Sequence, residues 1–367
     1  MKRIGLMLIL IVTAIAGADA WRVARPDYGW SFPEDHWARA GYKTEWWYFT
    51  GHLQSETGRR FGYQFTFFRV GLVEKQPDVA SNWATGDVIM GHAAISDLDS
   101  GKHVFSEVLY RAVPMLGGFG MYPDTLIAWS RGPTGTADKW TLSWNGTAFD
   151  FVMGDRWQKV GFSLSTKPKK PLIFQGPNGF SQKGKRETAA SQYYSFTRLE
   201  TSGSLRIGGE TFEVTGESWM DKEFGSHQLE AHQVGWDWFS LQLADGREVM
   251  LYVLRDGSGN ADFSRGTVVS ADGEARYLSS EEFEVQATAT WKSSKTGGTY
   301  PSRWQVKVDG VVLTVVPEMA AQENWSRSLR TLFYWEGAVK ILGPDGTKVG
   351  KGYVELVGYG TTSLPAI

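Results

Sequence analysis

The stretch Glu45-Trp46-Trp47-Tyr48-Phe49-Thr50-Gly51-His52-Leu53 decides the fold, because its pattern returns in Trp236-Asp237-Trp238-Phe239-Ser240-Leu241-Gln242-Leu243. Trp236 follows Trp46 by 190 residues, and four further positions match at the same offset. A glycine–arginine pair follows both stretches, as Gly58-Arg59 and Gly246-Arg247. A repeat of such long period indicates one strand–turn–strand unit present in each of two related domains, not a solenoid of short units. It also suggests that the functional site lies between the two copies.

The composition favours an all-β protein. A chain of 367 residues is long for a single core, so two domains are expected. The chain holds 17 Trp and 43 Gly, and 14% of its residues are aromatic. Aromatic and β-branched residues separated by glycine breakers are typical of short strands. The formal net charge of −2 argues against nucleic acid as a partner, because phosphate binding needs a basic surface.

The N-terminus has the pattern of a cleavable signal peptide. Lys2 and Arg3 precede an apolar run over 4–15, and Ala18-Asp19-Ala20 fits a cleavage site before Trp21. The alternative is an uncleaved anchor, for which the apolar run is short. The chain has no Cys, which excludes disulfides, thiolate catalysis and cysteine-bound metals. We therefore expect a periplasmic or secreted protein whose mature chain begins after Ala20.

The remaining sequence predicts roughly eighteen to twenty short strands broken by Gly, Pro, Asn and Asp. Phe61, Tyr63, Phe65 and Phe67 alternate with smaller or polar residues, which is typical of a half-buried strand. Many short antiparallel strands usually close into barrels or sandwiches, since open edges invite aggregation. The polar segment 167–192 is interpreted as a long loop. We place the domains at 21–205 and 206–367, after the signal peptide at 1–20.

The usual catalytic motifs are missing from the sequence. It contains no Gly-x-Ser-x-Gly elbow, no phosphate loop and no Gly-x-Gly-x-x-Gly after a strand. The six His residues show no recognisable metal-ligand spacing. We therefore expect no metal site and no cofactor.

Carboxylic acids embedded among aromatic residues are the remaining candidates for chemistry. In Trp219-Met220-Asp221-Lys222-Glu223, the two acids would share one face of a strand with Trp219. A carboxyl desolvated by tryptophan has a raised pKa and can donate a proton near neutral pH. The alternative interpretation is structural: Asp221 caps a turn, Glu223 pairs with a basic residue, and the tryptophans fill the core. The candidate catalytic residues are Asp221 and Glu223. The candidate ligand-binding residues are Glu45, Trp46, Trp47, Tyr48, His92, Trp219, Trp236, Trp238 and Tyr252.

Several segments together resemble the AttH/CrtC family of secreted two-domain lipocalin-like proteins. These segments include EWWYFTGHL at 45–53, GHAAISDLDSG at 91–101, WMDKEFGS at 219–226 and GYVELVGY at 352–359. The resemblance implies two tandem lipocalin-like antiparallel β-barrels with a ligand cavity at or near their interface. The family includes carotenoid 1,2-hydratases, which act on polyenes without a cofactor, and AttH-like members that accompany ABC-transporter genes. Asp221 matches the family's Trp-x-Asp motif, and Trp236 and Trp238 match its aromatic strand.

Two functions remain open from the sequence. The first is a secreted protein that binds a hydrophobic small molecule, such as a lipid or isoprenoid, with ABC-transporter components as possible partners. The second is a cofactor-free hydratase or isomerase in which Asp221 or a neighbouring acid protonates an alkene. Sugar binding on exposed tryptophan faces is a weaker third interpretation.

Overall fold

The computed structural model describes residues 21–329 and 331–360. The predicted signal peptide lies outside the described residues, so its cleavage stays a prediction. Within the described residues the chain forms 23 strands, two 3-10 helices (Glu34–His36 and Pro177–Gly179) and no α-helix. None of the helices in this part of the chain is long and apolar enough to cross a membrane.

The first 13 strands build one curled antiparallel sheet, which we call the first barrel. The sheet order is β4-β3-β2-β1-β13-β12-β9-β8-β7-β6-β5, and β4 packs against β5 and β6 so that the sheet curls round on itself. The strands are β1 (Thr44–Ser55), β2 (Arg60–Gly71), β3 (Asp87–Asp97), β4 (Lys102–Arg111), β5 (Gly117–Phe119), β6 (Leu126–Arg131), β7 (Lys139–Trp144), β8 (Phe149–Asp155), β9 (Val160–Pro168), β10 (Ile173–Phe174), β11 (Phe180–Gln182), β12 (Ala190–Ile207) and β13 (Glu210–Gly225).

The remaining ten strands build the second barrel. Its order is β17-β16-β15-β14-β23-β22-β20-β19-β18, and only residues 279–282 separate the two end strands β17 and β18. The strands are β14 (Gln233–Leu243), β15 (Glu248–Asp256), β16 (Ala261–Val269), β17 (Ala275–Leu278), β18 (Phe283–Lys292), β19 (Thr299–Val308), β20 (Val311–Pro317), β21 (Glu323–Trp325), β22 (Phe333–Leu342) and β23 (Lys348–Val357). The prediction of an all-β fold with two tandem lipocalin-like barrels is confirmed.

The repeated sequence stretches occupy equivalent strands. β1 lies between β2 and β13, and β14 lies between β15 and β23 in the same arrangement. The equivalence extends to single residues: Tyr48 pairs with Asp221 across β1 and β13, while Trp238 pairs with Glu355 across β14 and β23. The repeat in sequence therefore corresponds to a repeat in topology.

The boundary between the two barrels lies further along the chain than the predicted position between residues 205 and 206. Gly208 and Gly209 form the turn of the β12–β13 hairpin, so 206–225 belongs to the first barrel. The physical reason is that β13 pairs with the whole length of β1, from Thr44 opposite Gly225 to Ser55 opposite Val214. The connection between barrels is 226–232. The segment 167–192 is also more ordered than a loop, because β10 and β11 add to β12 within it.

Both barrel interiors are filled by side chains. Phe49, Phe65 and Phe151 meet in the first, and Phe239 and Trp304 meet in the second. Alternation along β1 places Trp47 and Phe49 in this core, while Trp46 and Tyr48 face the second barrel. The cavity described below lies between the barrels, where the outer faces of the repeated strands meet.

The two barrels are held together by buried polar contacts. Glu248 of the second barrel is fully buried and lies 2.7 Å from Lys170 Nζ and 2.7 Å from Arg198 Nε of the first. Gln242 donates to the carbonyl oxygens of Thr197 and Ser218. These contacts join the two barrels directly and fix their relative position.

Candidate functional site

A cavity of about 120 Å³ lies between the facing outer surfaces of the two barrels. Holding one water requires roughly 10–15 Å³ on the same scale, so the space suffices for a small organic molecule. Its walls are formed by β1, β2, β3, β12 and β13, with Lys183, on one side and by β14, β15, β22 and β23 on the other. The linker 226–232 contributes Gln228 and Leu229 to the lining, and Leu332, just before β22, also lines the cavity.

Each wall consists of cross-strand rows of side chains, which we call rungs. The outer rung of the first barrel is Glu223, Trp46, Phe68 and Met90, and that of the second is Val357, Trp236 and Leu254. The inner rung of the first barrel is Asp221, Tyr48, Thr66 and His92, and that of the second is Glu355, Trp238 and Tyr252.

The outer rung lies nearer to solvent than the inner one. Trp46 and Trp236 are half-buried, whereas Tyr48 and Trp238 of the inner rung are 7% and 8% exposed. The next positions inward, Thr50 and Ser240, are buried. The half-buried members of the outer rung, Trp46, Phe68, Met90 and Trp236, are therefore apolar, and most polar groups of the cavity lie deeper.

Asp221 is an acid in a dry, hydrogen-bonded environment. It is 3% exposed, and its Oδ1 accepts hydrogen bonds from the Ser195 hydroxyl and from Trp219 Nε1, the latter at 2.7 Å. Burial raises the pKa of Asp221 to about 7, although these hydrogen bonds to the ionised form oppose the shift. Near neutral pH the carboxyl is therefore protonated in a large fraction of molecules.

Glu355 is the equivalent acid on the opposite wall. Trp236 Nε1 donates to its Oε2 at 2.8 Å, and burial raises the pKa of Glu355 to about 7. Its cross-strand neighbour Glu336 is 2% exposed. Burial, followed by the charge of Glu355, raises the pKa of Glu336 well above its ordinary value. Asp221 on one wall is therefore held by hydrogen-bond donors, whereas Glu355 on the other has a second acid, Glu336, behind it.

Glu223 has a cation as its partner. Lys183 Nζ lies 3.1 Å from Glu223 Oε1 and 4.1 Å and 4.9 Å from the ring centres of Tyr252 and Tyr193. Burial lowers the pKa of Lys183, but the Glu223 carboxylate outweighs burial and brings it above the ordinary value. The protein's own ammonium group thus occupies this aromatic and acidic corner of the cavity.

His92 is neutral and holds one free nitrogen. Its Nδ1 lies 2.8 Å from the Tyr334 hydroxyl, and the side chain is buried. Burial lowers the pKa of His92 to about 4, against the charge of Glu107. Among the described residues, Nε2 has no hydrogen-bond partner. The imidazole is thus available to a ligand as a hydrogen-bonding group, not as a charge.

The structure brings most of the sequence-predicted residues together. The cavity is lined by Trp46, Tyr48, His92, Asp221, Glu223, Trp236, Trp238 and Tyr252. Trp219 does not line it, but it supports Asp221 from behind. Trp47 and Glu45 lie on the opposite face of β1, because side chains alternate along a strand.

Glu45 has a structural environment. It is fully buried and paired with Lys222 and Arg69, and the Lys222 ammonium lies 3.4 Å from the Trp47 ring centre. Burial raises the pKa of Glu45, but the charges of Lys222 and Arg69 outweigh it and hold the pKa below its usual range. Buried ion pairs of this kind belong to the core of the first barrel, away from the cavity.

Sequence reasoning did not find several cavity residues. These are Gln64, Thr66, Lys183, Tyr193 and Glu355, together with Glu336 behind Glu355. One signal was available: Trp219-Met220-Asp221 has an equivalent in Tyr353-Val354-Glu355. Both triplets place an acid two residues after an aromatic residue, on the strand that pairs with the repeated motif.

One group of the described residues has the geometry for a metal ion. Ligand atoms of Glu230, His232 and Asp262 lie within 4.8 Å of one another. His232 is exposed, its Nε2 already contacts Asp262 at 3.0 Å, and Gln233 donates to the same carboxylate oxygen. These residues do not line the cavity, and surface ion pairing explains their arrangement.

Fold and cavity define a tandem-barrel protein of the lipocalin-like type, with a cavity between the barrels. The chain belongs to the AttH-like family, whose model matches residues 23–359. The structure is similar to that of an AttH protein from Nitrosomonas europaea, with 31% identity, a TM-score of 0.78 and coverage of 92% of this chain and 99% of the other. No match was found among curated proteins.

A second similar structure is that of kievitone hydratase from Nectria haematococca. The TM-score is 0.66, with 15% identity over 94% of this chain and 95% of the other. At this identity the likeness shows the fold alone. The tandem-barrel architecture thus occurs in an enzyme named as a hydratase.

Proposed function

We propose that the protein is a cofactor-independent hydratase that adds water to, or removes water from, a carbon–carbon double bond of a small apolar molecule. The observation that carries this proposal is Asp221, a buried carboxyl with a pKa of about 7 that lines a cavity walled by aromatic side chains. A general acid is most effective when its pKa lies near the working pH. A purely structural acid needs no such environment.

The reaction follows from the arrangement of the inner rung. The Asp221 carboxyl gives its proton to one alkene carbon, which forms a carbon–hydrogen bond and leaves a cation on the adjacent carbon. The ring faces of Tyr48 and Trp238, which pack edge to face 5.2 Å apart, supply the negative potential that stabilises this cation. Water then adds to the cation, and its surplus proton passes to a carboxylate of the cavity, either Asp221 or Glu355.

The second candidate function is ligand binding without turnover. The apolar members of the outer rung favour it, because such surface binds lipids or isoprenoids by burial alone; they are Trp46, Phe68, Met90, Trp236, Leu254 and Val357. Both functions use the same cavity. Service to an ABC transporter stays a prediction from the family resemblance, as does export from the cytoplasm.

Turnover can be tested before the natural substrate is known. The purified protein is incubated in oxygen-18-labelled water with a panel of acyclic and prenylated unsaturated compounds, and products are analysed by mass spectrometry. The expected result is labelled alcohol from at least one compound. Asp221→Asn should lower this rate by about a hundredfold to ten-thousandfold, the usual contribution of general acid catalysis. Asp124→Asn, an exposed acid, is the matched control.

The outcomes separate the two candidate functions. Activity of Asp221→Asn within about threefold of the wild type would assign Asp221 a structural role, since general acid catalysis contributes far more than this. Binding of panel compounds without any labelled product would favour the binding protein.

A further inference from the structure

We propose that the inner part of the cavity recognises a hydroxyl group, so that the ligand is an uncharged amphiphile that binds with its hydroxyl inward and its apolar body against the outer rung. The inference deepens the proposed function and rests on it only in taking the inter-barrel cavity as the ligand site. A site built only for hydrocarbons would disfavour such hydroxyl-bearing molecules.

Two buried polar atoms of the first barrel carry the argument. Gln64 Oε1 and His92 Nε2 have no hydrogen-bond partner among the described residues, and both side chains are 2% exposed and line the cavity. The opposite end of each side chain is fixed. Gln64 Nε2 donates to Thr66 Oγ1 at 2.6 Å, and His92 Nδ1 is bonded to the Tyr334 hydroxyl. Each residue is therefore held in place with one polar atom free.

The two residues lie beside each other on the same face of the sheet. Thr66 is the cross-strand neighbour of His92, and Gln64 lies two residues before Thr66 on β2. Gln64 and Thr66 therefore share a face with His92. Tyr48 of the same inner rung is the other cross-strand neighbour of Thr66. The two free atoms therefore belong to side chains on the same face of neighbouring strands, β2 and β3, in the wall that also carries Asp221 on β13.

The hydrogen-bonding capacity of these atoms selects the ligand group. A buried polar atom without a partner costs about 1–3 kcal/mol, so a ligand that satisfies it gains affinity. The free amide oxygen of Gln64 can only accept a hydrogen bond, and an ether or ketone has no hydrogen-bond donor to offer it. A hydroxyl both donates and accepts, so it fits this oxygen and the His92 nitrogen in either tautomer. It also fits if the Gln64 amide is reversed.

Charged groups fit the cavity less well. An anion finds no unpaired cation among the described residues that line the cavity, because the ammonium group of Lys183 is already paired with Glu223. The setting most suited to a cation, between Tyr193, Tyr252 and Glu223, is occupied by Lys183. The ligand group that fits the inner rung is therefore a neutral polar group. The apolar side chains of the outer rung can contact the rest of the ligand.

A matched pair of probes tests the inference. 2-Naphthol and 2-methylnaphthalene have nearly the same size and differ in a hydroxyl against a methyl group. Binding of each to the mature protein is measured by equilibrium dialysis. The wild type should bind 2-naphthol at least tenfold more tightly than 2-methylnaphthalene, although burial of apolar surface alone favours the methyl compound.

Variants connect the preference to the residues. Gln64→Met removes the amide at similar length and should abolish or reverse the preference while 2-methylnaphthalene binding is kept. Gln54→Met, an exposed glutamine of β1, is the matched control and should leave the preference unchanged. Circular dichroism checks folding. If Gln64→Met does not fold, His92→Phe carries the same test on the second free atom.

Several results would overturn the inference. Equal binding of both probes to the wild type, or tighter binding of 2-methylnaphthalene, rejects hydroxyl recognition. An unchanged preference in both folded variants rejects the assignment to Gln64 and His92. Binding of neither probe also rejects it. The isotope-labelling assay decides the proposed hydratase function separately, because it does not depend on these probes.

Discussion

Replacing Asp221 by Asn should stabilise the protein at alkaline pH. The folded-state pKa of Asp221 is about 7 and its ordinary value is 3.8, so the folded chain holds the proton more tightly than the unfolded chain. Raising the pH through this window therefore destabilises the folded state. Asn cannot ionise and escapes this penalty, while its side-chain oxygen can still accept from Ser195 and Trp219.

The magnitude follows from the difference between the two pKa values. A gap from 3.8 to about 7 corresponds to about 4 kcal/mol at pH 8.5, where both states are ionised. At pH 4.5 the folded carboxyl is protonated and the unfolded one only partly ionised, so the penalty is about 1 kcal/mol. The stability of Asp221→Asn relative to the wild type should therefore rise by about 3 kcal/mol between these pH values.

Urea unfolding, followed by circular dichroism at pH 4.5 and 8.5, measures this difference. Comparing the same two proteins at two pH values cancels any constant effect of the substitution on packing or hydrogen bonding. Equal slopes against urea in both proteins show that the compactness of the unfolded state is unchanged. Asp124→Asn serves as the exposed control and should follow the wild type within about 0.5 kcal/mol.

A relative stability of Asp221→Asn that does not change with pH would refute the reasoning. It would mean that Asp221 ionises in the folded state as easily as in the unfolded chain, and the proton donor would lose its physical basis. A rise of the expected size would instead show that the site is maintained at a cost in stability, which is frequent at functional sites.

Three further predictions concern the same region. The hydration rate should be constant below about pH 7 and fall about tenfold per pH unit above it, because only protonated Asp221 donates; a rate that rises with pH would exclude this role. Lys183→Met should lower the free energy of unfolding by about 3–5 kcal/mol because it leaves Glu223 buried without a cation, and adding Glu223→Gln should restore much of the loss in urea unfolding. Glu45→Gln should lower the free energy of unfolding by a similar amount, because Lys222 loses its carboxylate partner. The folded protein should nevertheless bind 2-naphthol with wild-type affinity, and an altered affinity would connect Glu45 to the cavity.

The sequence predicted the fold well because its signal is local and repeated. Alternation in strands such as 61–67 and the matched aromatic stretches are visible along the chain, and they identify two related all-β units. The order of strands is not local. Nothing in 206–225 indicates that it pairs with 44–55 to complete the first barrel, so the predicted boundary fell inside a hairpin of that barrel.

The candidate site was predictable only in part, for a related reason. Trp46, Trp238 and Asp221 were found because aromatic and acidic residues are conspicuous in sequence. Trp47 and Glu45 were chosen with them because they stand next to Trp46 in the sequence. Neighbouring residues of a strand point to opposite faces of the sheet, so these two side chains lie in the barrel core and not in the cavity. Gln64 gave no signal, since its importance depends on which hydrogen bonds remain unmade, and this is a property of the assembled structure.

The position of the cavity follows from the duplication itself. Because each barrel interior is filled by its own aromatic core, only the outer faces of the repeated strands remain for a ligand, and they face each other across the interface. Equivalent positions have then diverged: Ser195 pairs with Asp221 on one wall, while Glu336 pairs with Glu355 on the other. A hydroxyl donor stabilises the ionised form of its acid, whereas a second carboxylate disfavours it. The duplicated fold thus places two buried acids in different electrostatic environments on opposite walls of one cavity, and in the proposed hydration either carboxylate could take up the surplus proton.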